Sequence, residues 1–154
     1  MEALNHYRAL GRSNRSMTGG GLMSFERALL AFLAAFVLVA GVATLVAPAS
    51  VLQHAGLSAT ASGTTEIRAF YGGLQVGLAG FLFWCLRERT LIFAGLLLEA
   101  LVVGGVGIAR VLGMLIDRAP TAYHLANLAV EVSTVVLVTV AFSIRRGENS
   151  ADPV

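Results

Sequence analysis

The sequence predicts an all-α fold, an antiparallel four-helix bundle crossing a membrane. Three observations predict it. Hydrophobic residues make up 56% of the 154-residue chain and charged residues 13%, whereas an ordinary soluble domain carries about 25% charged residues. The apolar residues fall into four long continuous runs, each too long for a barrel strand of about 10 residues and lacking its period-two alternation. Polar, Gly and Pro-containing segments separate the runs, and two of the three connections are too short for anything but antiparallel neighbours.

The expected helices cover about 27–47, 65–86, 90–116 and 121–145. The first, Ala28 to Ala47, holds no charge and ends at Pro48. At about 20 residues, or ~30 Å of helix, it matches a hydrocarbon core. The second opens after Glu66 and Arg68 and closes at Arg87-Glu88-Arg89. The third is interrupted by Glu99, and Val111 to Ile116 prolong it past Arg110 to a break at Asp117-Arg118-Ala119-Pro120. The fourth is interrupted by Glu131 and closed by Arg145-Arg146. Within the one long connection, Val51 to Leu57 suits a short interfacial helix, and the Ser/Thr/Gly-rich stretch after it reads as a loop. Residues 23–146 thus form the transmembrane domain. Residues 1–22, with Gly19-Gly20-Gly21 and alternative starts at Met17 and Met23, read as a disordered leader or a mis-assigned start, and 147–154 as a disordered tail.

All eleven basic residues are arginine. Arg8, Arg12, Arg15 and Arg27, then Arg87 and Arg89, then Arg145 and Arg146 fall on one side; only Arg68, Arg110 and Arg118 fall on the other. The positive-inside rule then puts both termini in the cytoplasm. The arginines are not gathered into a nucleic-acid footprint, so nucleic acid is set aside as a partner. A single cysteine, Cys85, excludes an internal disulfide and a cysteine-based metal centre. His6, His54 and His124 lack ligand spacing, and no phosphate loop, dinucleotide fingerprint or nucleophile elbow occurs. No metal or cofactor is expected.

Glu99 and Glu131 at membrane depth are the chemically informative residues. An acid near a helix centre costs about 2.5–3.5 kcal/mol on insertion scales, so it is normally buried against a partner or in a wet cavity. Spacings of three and four put His124, Asn127 and Glu131 on one stripe of the fourth helix, with Thr134 nearby. Glu99 and Arg110 share a face of the third, but lie ~16 Å apart along the axis and cannot pair. On the second helix, Glu66 shares a face with Gly73 and Gly77, while Arg68, Tyr71, Gly72 and Gln75 fall on roughly the opposite side. The candidate pocket residues are therefore Glu66, Arg68, Tyr71, Gln75, Glu99, Arg110, His124, Asn127 and Glu131. With the orientation above they form a gradient from the non-cytoplasmic interface to the bilayer centre, and the cytoplasmic halves of the helices lack such groups.

Each has a bland alternative. Glu131 and Glu99 can be members of a hydrogen-bonded seam, Arg110 can pair with Glu131 or Glu66 or snorkel outward, and Tyr71 and Trp84 can be interfacial anchors. Gly73-x-x-x-Gly77, extended by Ala69 and Gly80, is a small-residue pattern that suits helix packing or leaves room for a ligand.

The segment Glu66-Ile67-Arg68-Ala69-Phe70-Tyr71-Gly72-Gly73-Leu74 resembles the signature of the bacterial membrane family known as domain of unknown function 4345. The resemblance continues in Arg110-Val111-Leu112-Gly113, Asp117-Arg118-Ala119-Pro120 and Glu131, and covers about residues 24–146. Members usually have glycine after the aspartate, where this chain has Arg118. A weaker similarity links the layout to DoxX-like membrane proteins. The resemblance implies a four-helix protein of the bacterial inner membrane and implies no reaction. The expected role is binding of a small hydrophobic ligand, or that of an accessory subunit docked to a membrane partner or a second copy. A membrane-embedded enzyme, such as an acid/base isomerase or redox helper on a lipid-soluble substrate, is the alternative.

Overall fold

A computed structural model describes residues 25–150, with side chains to residue 145. Every element among the described residues is helical. Three helices are long and apolar enough to cross a membrane: Phe25–Val46, Arg89–Asp117 and Ala122–Arg145. The expected leader, 1–22, lies outside the described residues.

Helix α1, Phe25–Val46, buries one stripe. Glu26, Leu29, Leu30, Leu33, Ala34, Val37 and Thr44 are all buried, at the three-and-four spacing of one helical face. Phe32, Phe36 and Val39 point outward, as a lipid-facing surface requires. Pro48 occupies the first turn of the short helix α2, Pro48–His54, where its missing N–H is no loss. Gly56 closes α2 at φ 72°, and the N–H of Leu57 reaches back to the Leu52 carbonyl (2.9 Å). That turn requires a left-handed residue, which glycine supplies without strain.

The connection after α2 is shorter than expected. Helix α3, Ala61–Ile67, begins inside the stretch read as a loop because Thr60 caps it, its Oγ1 accepting the Gly63 N–H (3.2 Å). The chain then continues as a π-helical segment, Arg68–Gly73, and as α4, Leu74–Cys85. The widened turn puts Gly72 against α1: a β-carbon there would lie 2.7 Å from Leu45 Cγ. Gly41 of α1 makes the next close approach, 3.0 Å from Gln75 Cβ. Gly73 is exposed, and added β-carbons at Gly77 and Gly80 would meet open space. The glycines that bring these helices together are thus Gly41 and Gly72, and not the Gly73/Gly77 pair expected to do so.

A short 3-10 turn, Arg89–Leu91, leads into α5, Ile92–Asp117. Gly95 sits within 3.2 Å of Leu30 and Cys85 for an added β-carbon, which fixes one layer shared by α1, α4 and α5. Cys85 is fully buried there, while Trp84 is exposed. Arg118 ends α5 in the left-handed region (φ 52°, ψ 36°) and is the sole non-glycine residue with positive φ among the described residues. An L-residue in this region carries roughly 1–2 kcal/mol of strain. Arg118→Gly should therefore raise stability by about 0.5–1 kcal/mol, allowing for the entropy glycine loses. Thermal unfolding in detergent followed by circular dichroism checks this.

Thr121 starts α6, Ala122–Ser150, by accepting the His124 N–H (3.3 Å). The helix continues past the expected end at 145. Arg145-Arg146 marks the end of the apolar run, and the helix runs on through Gly147 to Ser150. Helices α5 and α6 pack antiparallel, with Phe93 against Phe142 (4.4 Å between centroids) at one end and Gly107 against Glu131 toward the other.

Candidate functional site

Small residues open the α5–α6 seam. Gly104 and Gly107 lie on α5 where α6 presents Val135 and Glu131. A β-carbon at Gly107 would lie 3.3 Å from Glu131 Oε2, so the carboxylate rests almost on the α5 backbone. Beside these glycines runs a cavity of about 430 Å³, walled by Val103, Ile108, Leu112, Leu128, Val132 and Val136. Its size falls in the usual range for small-molecule sites, about 300–1,000 Å³. Its lining is apolar except for Glu131.

Arg110 reaches across the seam and holds that carboxylate. Its Nε donates to both oxygens of Glu131 (3.0 and 3.1 Å), and Nη2 donates to Oε1 at 2.7 Å. The side chains are 20% and 10% exposed. This fork-to-carboxylate geometry is the strong, directional form of ion pair. It is the one ion pair that forms wholly among the described side chains. Of the alternatives open for Arg110, the structure takes the Glu131 partner.

His124 and Asn127 share the Glu131 stripe without bonding to it. Asn127 Nδ2 donates back to the Tyr123 carbonyl (2.8 Å), and His124 packs edge-on against Tyr123 (5.7 Å) with its Nδ1 buried and unpartnered among the described residues. Thr134, one turn from Glu131, is buried and donates to the Val130 carbonyl (2.9 Å).

Glu99 lies elsewhere. It is 2% exposed, on the buried face of α5 that also carries Ile92, Gly95 and Leu96, and its Oε2 has no hydrogen-bond partner among the described residues. Gln75 is half-buried, with Oε1 buried and unpartnered. Glu66, Arg68 and Tyr71 are on the surface. Arg68 Nε caps the α1 carbonyl of Leu45 (3.1 Å), so this guanidinium closes a helix end.

The structure also buries an acid that the sequence reading passed over. Glu26 is 3% exposed, with Oε1 unpartnered among the described residues, so one buried acid does lie near the α1 start. The signal was present in the three-and-four spacing Glu26, Leu29, Leu30, Leu33. It was obscured because Glu26 adjoins Arg27 and reads as part of a polar flank.

Residues 25–142 match the family described as domain of unknown function (DUF4345). The chain belongs to that family. The match spans the residues that carry the Arg110–Glu131 pair, the groove and the π-helical segment. No curated protein matches the sequence. No solved structure matches it either.

Proposed function

We propose that this DUF4345 protein is a four-span protein of the bacterial cytoplasmic membrane whose α5–α6 groove binds a small amphiphile. The observation that carries the reading is the groove itself, an apolar cavity of about 430 Å³ with one polar feature, Glu131 held by Arg110. An acyl-like chain would lie over Gly104 and Gly107, and a polar head would sit at the ion pair. Donors of the Arg110 guanidinium beyond those engaged by Glu131 are available to a carbonyl or ester oxygen.

The fourth span is the helical path from Ala61 to Cys85, at ~35 Å long enough to cross the hydrocarbon core. Four antiparallel spans put both termini on one side, which the arginine distribution makes cytoplasmic, with the Arg110 end of the groove facing outward. Binding is favoured over acid/base catalysis because Arg110 engages both Glu131 oxygens.

The test uses the full chain in nanodiscs containing a phospholipid with a photoreactive acyl chain. Cross-links should concentrate on the groove segments of α5 and α6. A β-carbon at Gly104 would make only ordinary contact with Val135 (3.6 Å), so Gly104→Leu can fill the groove without a backbone clash. It should lower cross-linking there about tenfold, the equivalent of 1.4 kcal/mol. Unchanged labelling of Gly104→Leu would mean that the groove holds only passing bulk lipid.

A further inference from the structure

The interior beside the groove carries polar side chains at regular levels. Contacts between α5 and α6 fix their register: Phe93 with Phe142, Gly104 with Val135, Gly107 with Glu131. The same register puts Glu99 opposite Val138 on the buried stripe of α6. Thr134 lies one turn from Val138, ~6 Å along the axis, and Glu131 ~4.5 Å beyond Thr134. On α4, Cys85 shares the layer of Gly95, so Gln75 stands ~9 Å from the level of Glu99, toward Glu131. Among the described residues, the buried polar atoms Glu99 Oε2 and Gln75 Oε1 both lack partners.

By level along the bundle axis, Thr134 falls between Arg110–Glu131 and Glu99, and Gln75 falls near the level of Glu131. These rungs form a ladder whose axial intervals, ~4.5 Å from Glu131 to Thr134 and ~6 Å from Thr134 to the level of Glu99, leave room for a bridging water at each step. Below Glu99 the ladder ends. Leu30, Cys85, Ile92, Leu96 and Ala141 are each no more than 1% exposed and form an apolar plug. The interior is therefore polar on one side of Glu99 and closed on the other.

We propose that Glu99 is a proton-binding site that exchanges with the side of the membrane bearing the α5–α6 connection, through this ladder. The titratable and charged groups nearest it on each packed element are Glu26 on α1, Cys85 on α4, Arg110 on its own helix and, about equally far along α6 on either side of Val138, Glu131 and the exposed Arg145, whose guanidinium lies over Phe93. Glu26 and Cys85 lie at or beyond the plug, and Arg110 neutralises Glu131. Among the described residues, no fixed charge therefore lies at the level of Glu99. The proposal does not require the groove to be occupied.

The experiment is infrared difference spectroscopy on the full chain, inserted in one orientation into sealed liposomes of phosphatidylcholine and phosphatidylglycerol. An acid step on the connection side should produce a protonated-carboxyl band that is absent in Glu99→Gln and retained in Glu131→Gln. Should Glu99→Gln not insert, Glu99→Asp serves, since it shifts the band instead of removing it. Thr134→Val should slow the appearance of the band about tenfold. An equal acid step on the opposite side should give a slower response. No Glu99-dependent band at any pH, equal rates from both sides, or an unchanged rate in Thr134→Val would each overturn the proposal.

Discussion

Arg110→Ala should destabilise the protein by about 3–5 kcal/mol, the usual result of stranding one partner of a buried ion pair. Glu131 would remain wedged against the Gly107 backbone with no cation to accept. The magnitude separates this pair from ordinary interhelical hydrogen bonds in membranes, which average about 0.6 kcal/mol in double-mutant cycles. Three donor–acceptor contacts of 2.7 to 3.1 Å between full charges belong to the stronger class. Replacing both partners with apolar residues, Arg110→Met with Glu131→Leu, should restore most of the loss, because desolvation of both charges is removed as well. Denaturant titration in mixed micelles of the wild type, Arg110→Met, Glu131→Leu and their double variant closes the cycle. Arg68→Ala is the control: that guanidinium is exposed and donates to one carbonyl, so its loss should cost about 1 kcal/mol or less. A double variant that folds yet no longer cross-links lipid would assign the pair to recognition beyond stability.

Glycines near the π-helical segment should give the second large effect, with opposite signs at neighbouring positions. Gly72→Ala places a β-carbon 2.7 Å from Leu45 Cγ and 3.1 Å from the Leu45 backbone nitrogen. The side chain can shift but the backbone cannot easily do so, and overpacking of this kind costs about 1–3 kcal/mol. Gly77→Ala meets open space and should stabilise the helix by up to about 1 kcal/mol, since alanine is the better helix former. Comparing the two by the same denaturant titration discriminates the observed contact from the small-residue pattern visible in the sequence. Destabilisation at Gly77 would mean that this face packs against a further chain.

Much of the fold was legible because apolar runs in lipid are nearly synonymous with helices. The first, third and fourth runs appear close to where the apolar stretches place them, with shifts at the ends set by caps such as Thr121 and Arg118. The Ala61 start was obscured because Thr60 caps the helix inside a Ser/Thr/Gly-rich stretch that otherwise reads as loop. The π-helical turn was not legible: hydrophobicity does not encode one extra residue in a turn, and that turn determines which glycines of the second run meet α1. For the candidate site, stripe geometry picked out Arg110 and Glu131, but their union depends on the α5–α6 register, which one helix at a time does not contain. His124 and Asn127 shared the stripe and still bonded locally or not at all, because a side chain one turn from its own helix carbonyl has a nearer partner than one across the seam.

The most direct test of the central claim is a high-resolution map of the full chain in a nanodisc of its native lipids. The account predicts an elongated density over Gly104 and Gly107, running from the level of Val103 to that of Leu112, with its polar end at Arg110–Glu131. A groove closed by contact of its α5 and α6 walls, or one holding no density distinct from the surrounding lipid, would contradict it.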